Sequence, residues 1–232
     1  MGIFMRKCDI CISLTGYVYA PRIAQKKGAI IIMERGSKHI LEQKKILEKN
    51  PHKKNEAIPN RNIKCNLKAY QLPNFISVAS QHVKESFLLH QYPENRIFVN
   101  PYGVDLSMFK PLPNIPKKYD VIMVGGWGYE KGCDLIVEAI RKTNYSFIHV
   151  GSIKDVDFPQ EKNFTHIDPV DQSKLIEYYN QAKVFILPSR QDGFGMVLSQ
   201  ALACNLPIIG SNNCGAPDLK KMVELPEYIN YH

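Results

Sequence analysis

Lys183-Val-Phe-Ile-Leu-Pro-Ser-Arg-Gln-Asp-Gly-Phe-Gly-Met-Val-Leu-Ser-Gln-Ala-Leu-Ala-Cys-Asn-Leu-Pro-Ile-Ile-Gly210 is the stretch whose reading decides the fold. Its first five residues are a short apolar run stopped by Pro188, the pattern of a buried strand. A polar loop follows over Ser189–Gly193. Phe194–Cys204 then has helical apolar spacing, and Pro207–Gly210 reads as the next short strand. Strand, loop, helix and strand in that order is the repeating unit of a parallel sheet covered by helices.

The same grammar extends in both directions. Upstream, Tyr119–Gly125 reads as a strand, and Cys133–Lys142 as a helix with Leu135, Ile136, Ala139 and Ile140 on one face. Ser146–Gly151 is the next strand, and Asp171 is placed to cap a helix that turns Leu175, Ile176, Tyr179 and Ala182 inward. Downstream, Ala216–Val223 opens another helix. Four such units make a Rossmann-like half. The first half repeats the pattern with more interruption. Strands are expected near Cys8–Leu14, Ala29–Met33, Phe75–Ala79 and Ile97–Val99, and helices near Tyr17–Lys27, Ser37–Lys49 and Ser80–His90. Asn50–Asn66 is polar and reads as a surface loop. Residues 101–118, with Pro101, Pro111, Pro113 and Pro116, suit neither a helix nor a central strand and form a natural linker. Two α/β domains are therefore expected, residues 1–110 and 111–232, and both chain ends read as cut.

The charge divides along the same line. Residues 1–118 carry 20 basic and 8 acidic side chains, residues 119–232 carry 10 and 14. The first half is thus the one expected to meet an anionic surface, with peripheral contact to anionic lipid as one reading and simple solubility as the other. Lysine pairs at 26–27, 44–45 and 53–54 contribute to it.

Several classes are excluded by inspection. No apolar run approaches the roughly 18 residues of a membrane-spanning helix, and the start lacks a signal peptide's apolar stretch. Six irregularly spaced cysteines do not read as a disulfide framework, so a cytoplasmic location is expected. Cys8-x-x-Cys11 lacks the second pair that a zinc site needs, and no metal site is expected. The loop Gly125-Gly-Trp-Gly-Tyr-Glu-Lys131 has Lys where a dinucleotide fingerprint has its third Gly. There is no phosphate loop ending in Gly-Lys-Ser/Thr, no Gly-x-Ser-x-Gly elbow and no nucleic-acid-binding signature.

What remains is specific. Leu187–Ile209, with its Pro-Ser, its Gly-Phe-Gly and its Ala-x-Ala before a Pro-led strand, resembles the donor-site signature of retaining nucleotide-sugar glycosyltransferases of the family 4 group. Val124–Gly132 is similar to that family's glycine loop with its phosphate-binding lysine, and Asn100–Phe109 to the segment entering its linker. Ile76–Ser80 and Glu34–His39 resemble acceptor-domain landmarks, with Arg35 and His39 lining the acceptor side; a polar helix start accounts for those two equally well.

The resemblance implies a GT-B fold, a pair of Rossmann-like domains, here incomplete. It implies transfer of a hexosyl group, with retention, from a nucleoside-diphosphate sugar to a glycan or lipid-linked acceptor, without metal ion or other cofactor. Lys131 and Asp192 become the catalytic pair. Gly125, Gly126, Arg190, Gly193, Phe194, Gly195, Met196 and Gln200 become the donor-binding set. Three positions depart from the family pattern. Asp192 and Gln200 stand where two acidic residues frame the Gly-Phe-Gly turn, and Gly126 stands where the family has an arginine beside the phosphate. Arg190 is the expected substitute for that arginine. The departures also admit a second reading, a catalytically inactive nucleotide-sugar-binding or interaction module.

Overall fold

The computed structural model describes residues 6–52 and 58–223; the Lys53–Lys54 pair lies outside them. The chain divides into two compact units, the first ending at Pro101 and the second starting at Tyr102, with the short stretch from Asn50 grouped with the second. Residues 100–118 contain neither helix nor strand.

The first unit is a four-stranded parallel sheet in the order β1-β2-β3-β4, formed by β1 (Ile10–Leu14), β2 (Ile30–Arg35), β3 (Phe75–Val78) and β4 (Ile97–Val99). Between them run α1 (Tyr19–Lys26), α2 (Ile40–Leu47), α3 (Asn60–Ala69) and α4 (Gln81–Leu88). Met33, Ile76, Val78, Val83, Phe87 and Ile97 form the main core of this unit, and Ala24, Ala29 and Ile31 a second one. Cys11 packs on the second cluster, while Ile10, Ile12 and Leu14 on the alternate row of β1 are exposed. Helix α3 corrects the expected loop over Asn50–Asn66. Its Asn, Arg and Lys residues disguise a narrow apolar stripe in which Ile63 and Ala69 are buried and Leu67 packs alongside.

The second unit is a five-stranded parallel sheet. Its strands are β5 (Tyr119–Val124), β6 (Phe147–Val150), β7 (Phe164–Ile167), β8 (Ala182–Leu187) and β9 (Ile208–Gly210), in the order β7-β6-β5-β8-β9. Helices α5 (Cys133–Arg141), α6 (Gln172–Gln181) and α7 (Met196–Ala203) run between the strands, and α8 (Ala216–Met222) follows β9. Ile122, Met123, Phe147, Ile148, Phe185 and Leu187 are fully buried, as strands covered on both faces require. Strand β7 is an addition to the expected set: Phe-Thr-His-Ile has only two apolar residues, and it lies at the sheet edge. Asp171 does stand before α6, but its side chain makes no capping hydrogen bond.

The amino-terminal end of this sheet is pinned by one carboxylate. Asp120 accepts hydrogen bonds from Ser146 N at 2.9 Å, Ser146 Oγ at 2.8 Å and Lys183 Nζ at 2.8 Å, linking β5 with the entry to β6 and with β8. The lysine contact, aided by the serine, lowers its pKa to about 2. The opposite, carboxyl-terminal end is left to the loops.

Candidate functional site

Counted along the chain, the second sheet runs third, second, first, fourth, fifth strand. The order therefore reverses between β5 and β8, and in open parallel sheets a crevice forms beyond the carboxyl ends of such a pair. Two loops border it: 125–132 after β5, and 188–195 after β8. Gly132 lets them approach. Its φ is +71°, and a Cβ there would collide with the Pro188 carbonyl oxygen. Arg190 N and Gln191 N both donate to the Glu130 carbonyl, at 2.9 and 3.3 Å, completing the junction.

Lys131 and Asp192 meet at this junction. Their side chains form a hydrogen-bonded ion pair across 61 positions of sequence, with 21% and 15% of their side-chain surface exposed. Lys131 ends the 3-10 turn Tyr129–Lys131 immediately before α5, and Asp192 N donates to Asn213 O at 2.9 Å. Burial raises the pKa of neighbouring Glu130, partly countered by Lys131 and Lys154. The pair is therefore a charged, half-sheltered centre able to take a phosphate at one end and a hydroxyl at the other.

Helix α7 begins three residues beyond Gly193. Gly195, at φ +78°, is its N-cap residue, and its eight residues leave unpaired amides and a positive dipole end at Met196, which is exposed. Phe194 is buried and packs against Gly215, where any Cβ would strike its ring. Gln200 lies one turn further along, buried, with Tyr179 Oη donating to its Oε1 at 2.9 Å. Its oxygen is thus engaged within the protein, and the amide nitrogen is its remaining polar end. Around this helix start, Ser189 Oγ, Gln191 Oε1 and Ser199 Oγ are buried without a hydrogen-bond partner. Orphaned polar atoms cost stability, and they concentrate where a fold serves something other than itself.

Arg190 is placed differently from expectation. Its guanidinium lies 3.9 Å over the Tyr129 ring, donates to the Tyr129 carbonyl at 2.9 Å, and pairs in bidentate fashion with Asp134 at 2.6 and 2.7 Å. Its charge is matched there, as a brace between the β8 loop and α5. Arg35 and His39 sit at the β2–α2 turn of the first unit. Arg35 donates to the Ser37 and Lys38 carbonyls, Gln43 and Asn66, while buried His39 caps α2 and stacks on His90 at 4.1 Å. Both side chains carry local structure, the polar helix start that sequence reading kept open.

Sequence reading missed His149. This fully buried side chain on β6 has Nε2 at 2.8 Å from the Gly125 carbonyl oxygen and Nδ1 at 2.9 Å from His166 Nδ1. Burial lowers its pKa to about 4, so it is neutral at pH 7. A carbonyl only accepts, so Nε2 carries the proton and His166 donates to Nδ1. His149 thereby anchors the first residue of the glycine loop. The only signal in sequence is a polar residue at a central position of an otherwise apolar strand.

Residues 106–224, half of the chain, match the family described as "Glycosyl transferases group 1". The chain belongs to this family. Among curated relatives of this group 1 member, an uncharacterized glycosyltransferase of Methanocaldococcus jannaschii is 27% identical over 105 residues, covering 42% of this chain and 30% of the relative. The chain spans 30–42% of the length of the first curated relatives it matches. Two solved structures share its fold. Sucrose-phosphate synthase from Thermosynechococcus elongatus has a TM-score of 0.65 at 16% identity, over 89% of this chain and 57% of that one. Anabaena HepE in complex with UDP and glucose has a TM-score of 0.65 at 13% identity, over 87% and 58%. The architecture is the GT-B-like α/β fold expected from the sequence. Among the described residues no helix is long and apolar enough to cross a membrane.

Proposed function

We propose that this group 1 glycosyltransferase-family chain binds a nucleoside-diphosphate sugar at the β5–β8 crevice and transfers its hexosyl group, with retention, to a glycan or lipid-linked acceptor. The second unit takes the donor and the basic first unit the acceptor, at the cytoplasmic face of an anionic membrane. The observation that carries this reading is the Lys131–Asp192 pair, set at the sheet's switch point beside the amino end of α7. The likeness to HepE, whose structure holds UDP and glucose, supports the donor class.

The chemistry follows from charge. As the glycosidic bond breaks, negative charge grows on the departing phosphate and positive charge on the anomeric carbon. Lys131 and the amides that open α7 stabilise the first. When phosphate takes the ammonium, the Asp192 carboxylate turns to a sugar hydroxyl and fixes the ring. Gln200 offers its amide nitrogen to the ribose. The departing phosphate accepts the acceptor's proton, so no protein nucleophile is needed, and the cations and dipoles named above serve in place of a metal ion.

Calorimetry with UDP, ADP and GDP sugars, followed by a donor-hydrolysis assay, tests the reading. At least one donor is expected to bind, and Lys131→Ala to weaken it about tenfold or more. Binding without hydrolysis or transfer selects the inactive module instead, and no binding by any donor overturns both.

A further inference from the structure

Gly126 is the second residue of the glycine loop, and the space beside it is filled. A Cβ at this position would lie 2.9 Å from Lys154 Nζ and 3.1 Å from Lys154 Cδ, with Cε closer still. The lysine comes from the loop after β6, and its backbone is stitched to the glycine loop. Trp127 N donates to Ser152 O at 2.8 Å, Lys154 N to Trp127 O at 2.9 Å, and Tyr129 N to Asp155 Oδ1 at 3.0 Å. Trp127, fully buried among Phe147, His149 and Phe158, holds this seam in place. The end of Lys154 therefore runs where a side chain of residue 126 would begin.

We propose that Lys154 supplies a second cation for the donor's diphosphate, delivering its ammonium through the space that Gly126 leaves open. The inference rests on the donor reading above. The charges near the crevice make it necessary. Arg190 is matched by Asp134 and Lys131 by Asp192, whereas a diphosphate leaving group brings several negative charges into the same small volume. Lys131 and Lys154 both act on the Glu130 carboxyl, so both cations belong to the surroundings of the same loop. The neighbouring Asp155 carboxylate is engaged by the Tyr129 amide. An ammonium on a flexible stem suits the role, because it follows a phosphate that moves away during bond cleavage. An arginine growing from residue 126 reaches the same place from the loop itself; this chain reaches it from the neighbouring strand.

The test is calorimetry with UDP, and with ADP and GDP in parallel, on the full chain and on Lys154→Ala, Lys154→Met, Lys154→Arg and Lys131→Ala. Lys154→Ala and Lys154→Met are both expected to weaken diphosphate binding about 10–100-fold, Lys154→Arg to stay within about threefold, and affinity for the phosphate-free nucleoside to be unchanged. The Met variant keeps the aliphatic packing over Gly126, so its loss reads the charge alone. Normal diphosphate binding by Lys154→Met, or equal loss of nucleoside and diphosphate binding, overturns the proposal. If Lys131→Ala weakens binding while Lys154→Ala does not, Lys154 is eliminated and the donor reading stands. If the parent binds none of the nucleotides, both fall together.

Discussion

Removing the one hydroxyl that donates to Gln200 tests how the second unit is held together. Tyr179 is fully buried, its ring edge-on to Phe109 and tilted against Phe185, each at 6.0 Å between centroids. Tyr179→Phe keeps that packing and deletes only the donor to Gln200 Oε1, 2.9 Å away. The amide oxygen is then buried without a partner, a loss of about 1–3 kcal/mol. For a unit of this size that lowers the melting temperature by about 3–15 °C. A double variant, Tyr179→Phe with Gln200→Leu, removes both polar ends and is expected to return to within about 1 kcal/mol of the parent, because the penalty belongs to the stranded oxygen. Urea unfolding of the three proteins at pH 7 measures both quantities. A Tyr179→Phe variant within about 0.5 kcal/mol of the parent, or a double variant no more stable than the single, refutes the reasoning. Nucleotide titration separates the roles further: Tyr179→Phe leaves the Gln200 amide nitrogen available and binds, whereas the double variant loses the ribose contact.

Other outcomes follow from the same geometry. Asp192→Asn keeps the shape but removes the carboxylate opposite Lys131, and is expected to cut transfer at least tenfold while Asp192→Glu retains part of it, measured as turnover of a bound donor. Gly132→Ala places a methyl group in a left-handed conformation against the Pro188 carbonyl, and is expected to destabilise the second unit by about 2 kcal/mol or more in urea. His149 and His39 both have folded pKa values lowered to about 4 by burial, below the ordinary 6.5. The unfolded chain therefore binds more protons between those values, so the stability they contribute is complete above about pH 6.5 and is lost as pH falls through about 4. Unfolding free energies from pH 7 to 4 are expected to fall by about 3 kcal/mol for each histidine; a flat profile overturns the assignment.

How much of this was legible in sequence depends on the range over which each feature is set. Strand and helix periodicity is decided within eight or ten neighbouring positions, so β5, α5, β8 and α7 are readable from apolar spacing alone. Helix α3 and strand β7 are not, because each buries only a few side chains and carries a polar surface: Ile63 and Ala69 in one case, Phe164 in the other. The crevice itself is legible once the strand order is known, since Lys131 and Asp192 lie in the two loops that the reversal of order separates. Side-chain partners are a different matter. Arg190 lies two residues from Asp192, and that closeness suggested a shared ligand. Its long side chain instead turns onto Tyr129 and reaches Asp134, 56 positions away.

Charge at a site is a property of a volume, and any loop bordering the volume can provide it. The glycine at 126 reads as a loss when the β5 loop is considered alone, because the loop has one cation where two are expected. The sheet order changes the inference. Strand β6 is hydrogen-bonded directly to β5, so the loop that follows it leaves the sheet beside the glycine loop, and the Trp127–Ser152 and Lys154–Trp127 hydrogen bonds fix their register. With that register set, Lys154 has a short path across position 126 only if residue 126 has no side chain. Gly126 is then the condition for a cation to enter from the neighbouring strand, and Arg190 is released to brace the β8 loop against α5. On this reading the cation that the glycine loop lacks comes from the β6 loop, and Arg190 stays paired with Asp134.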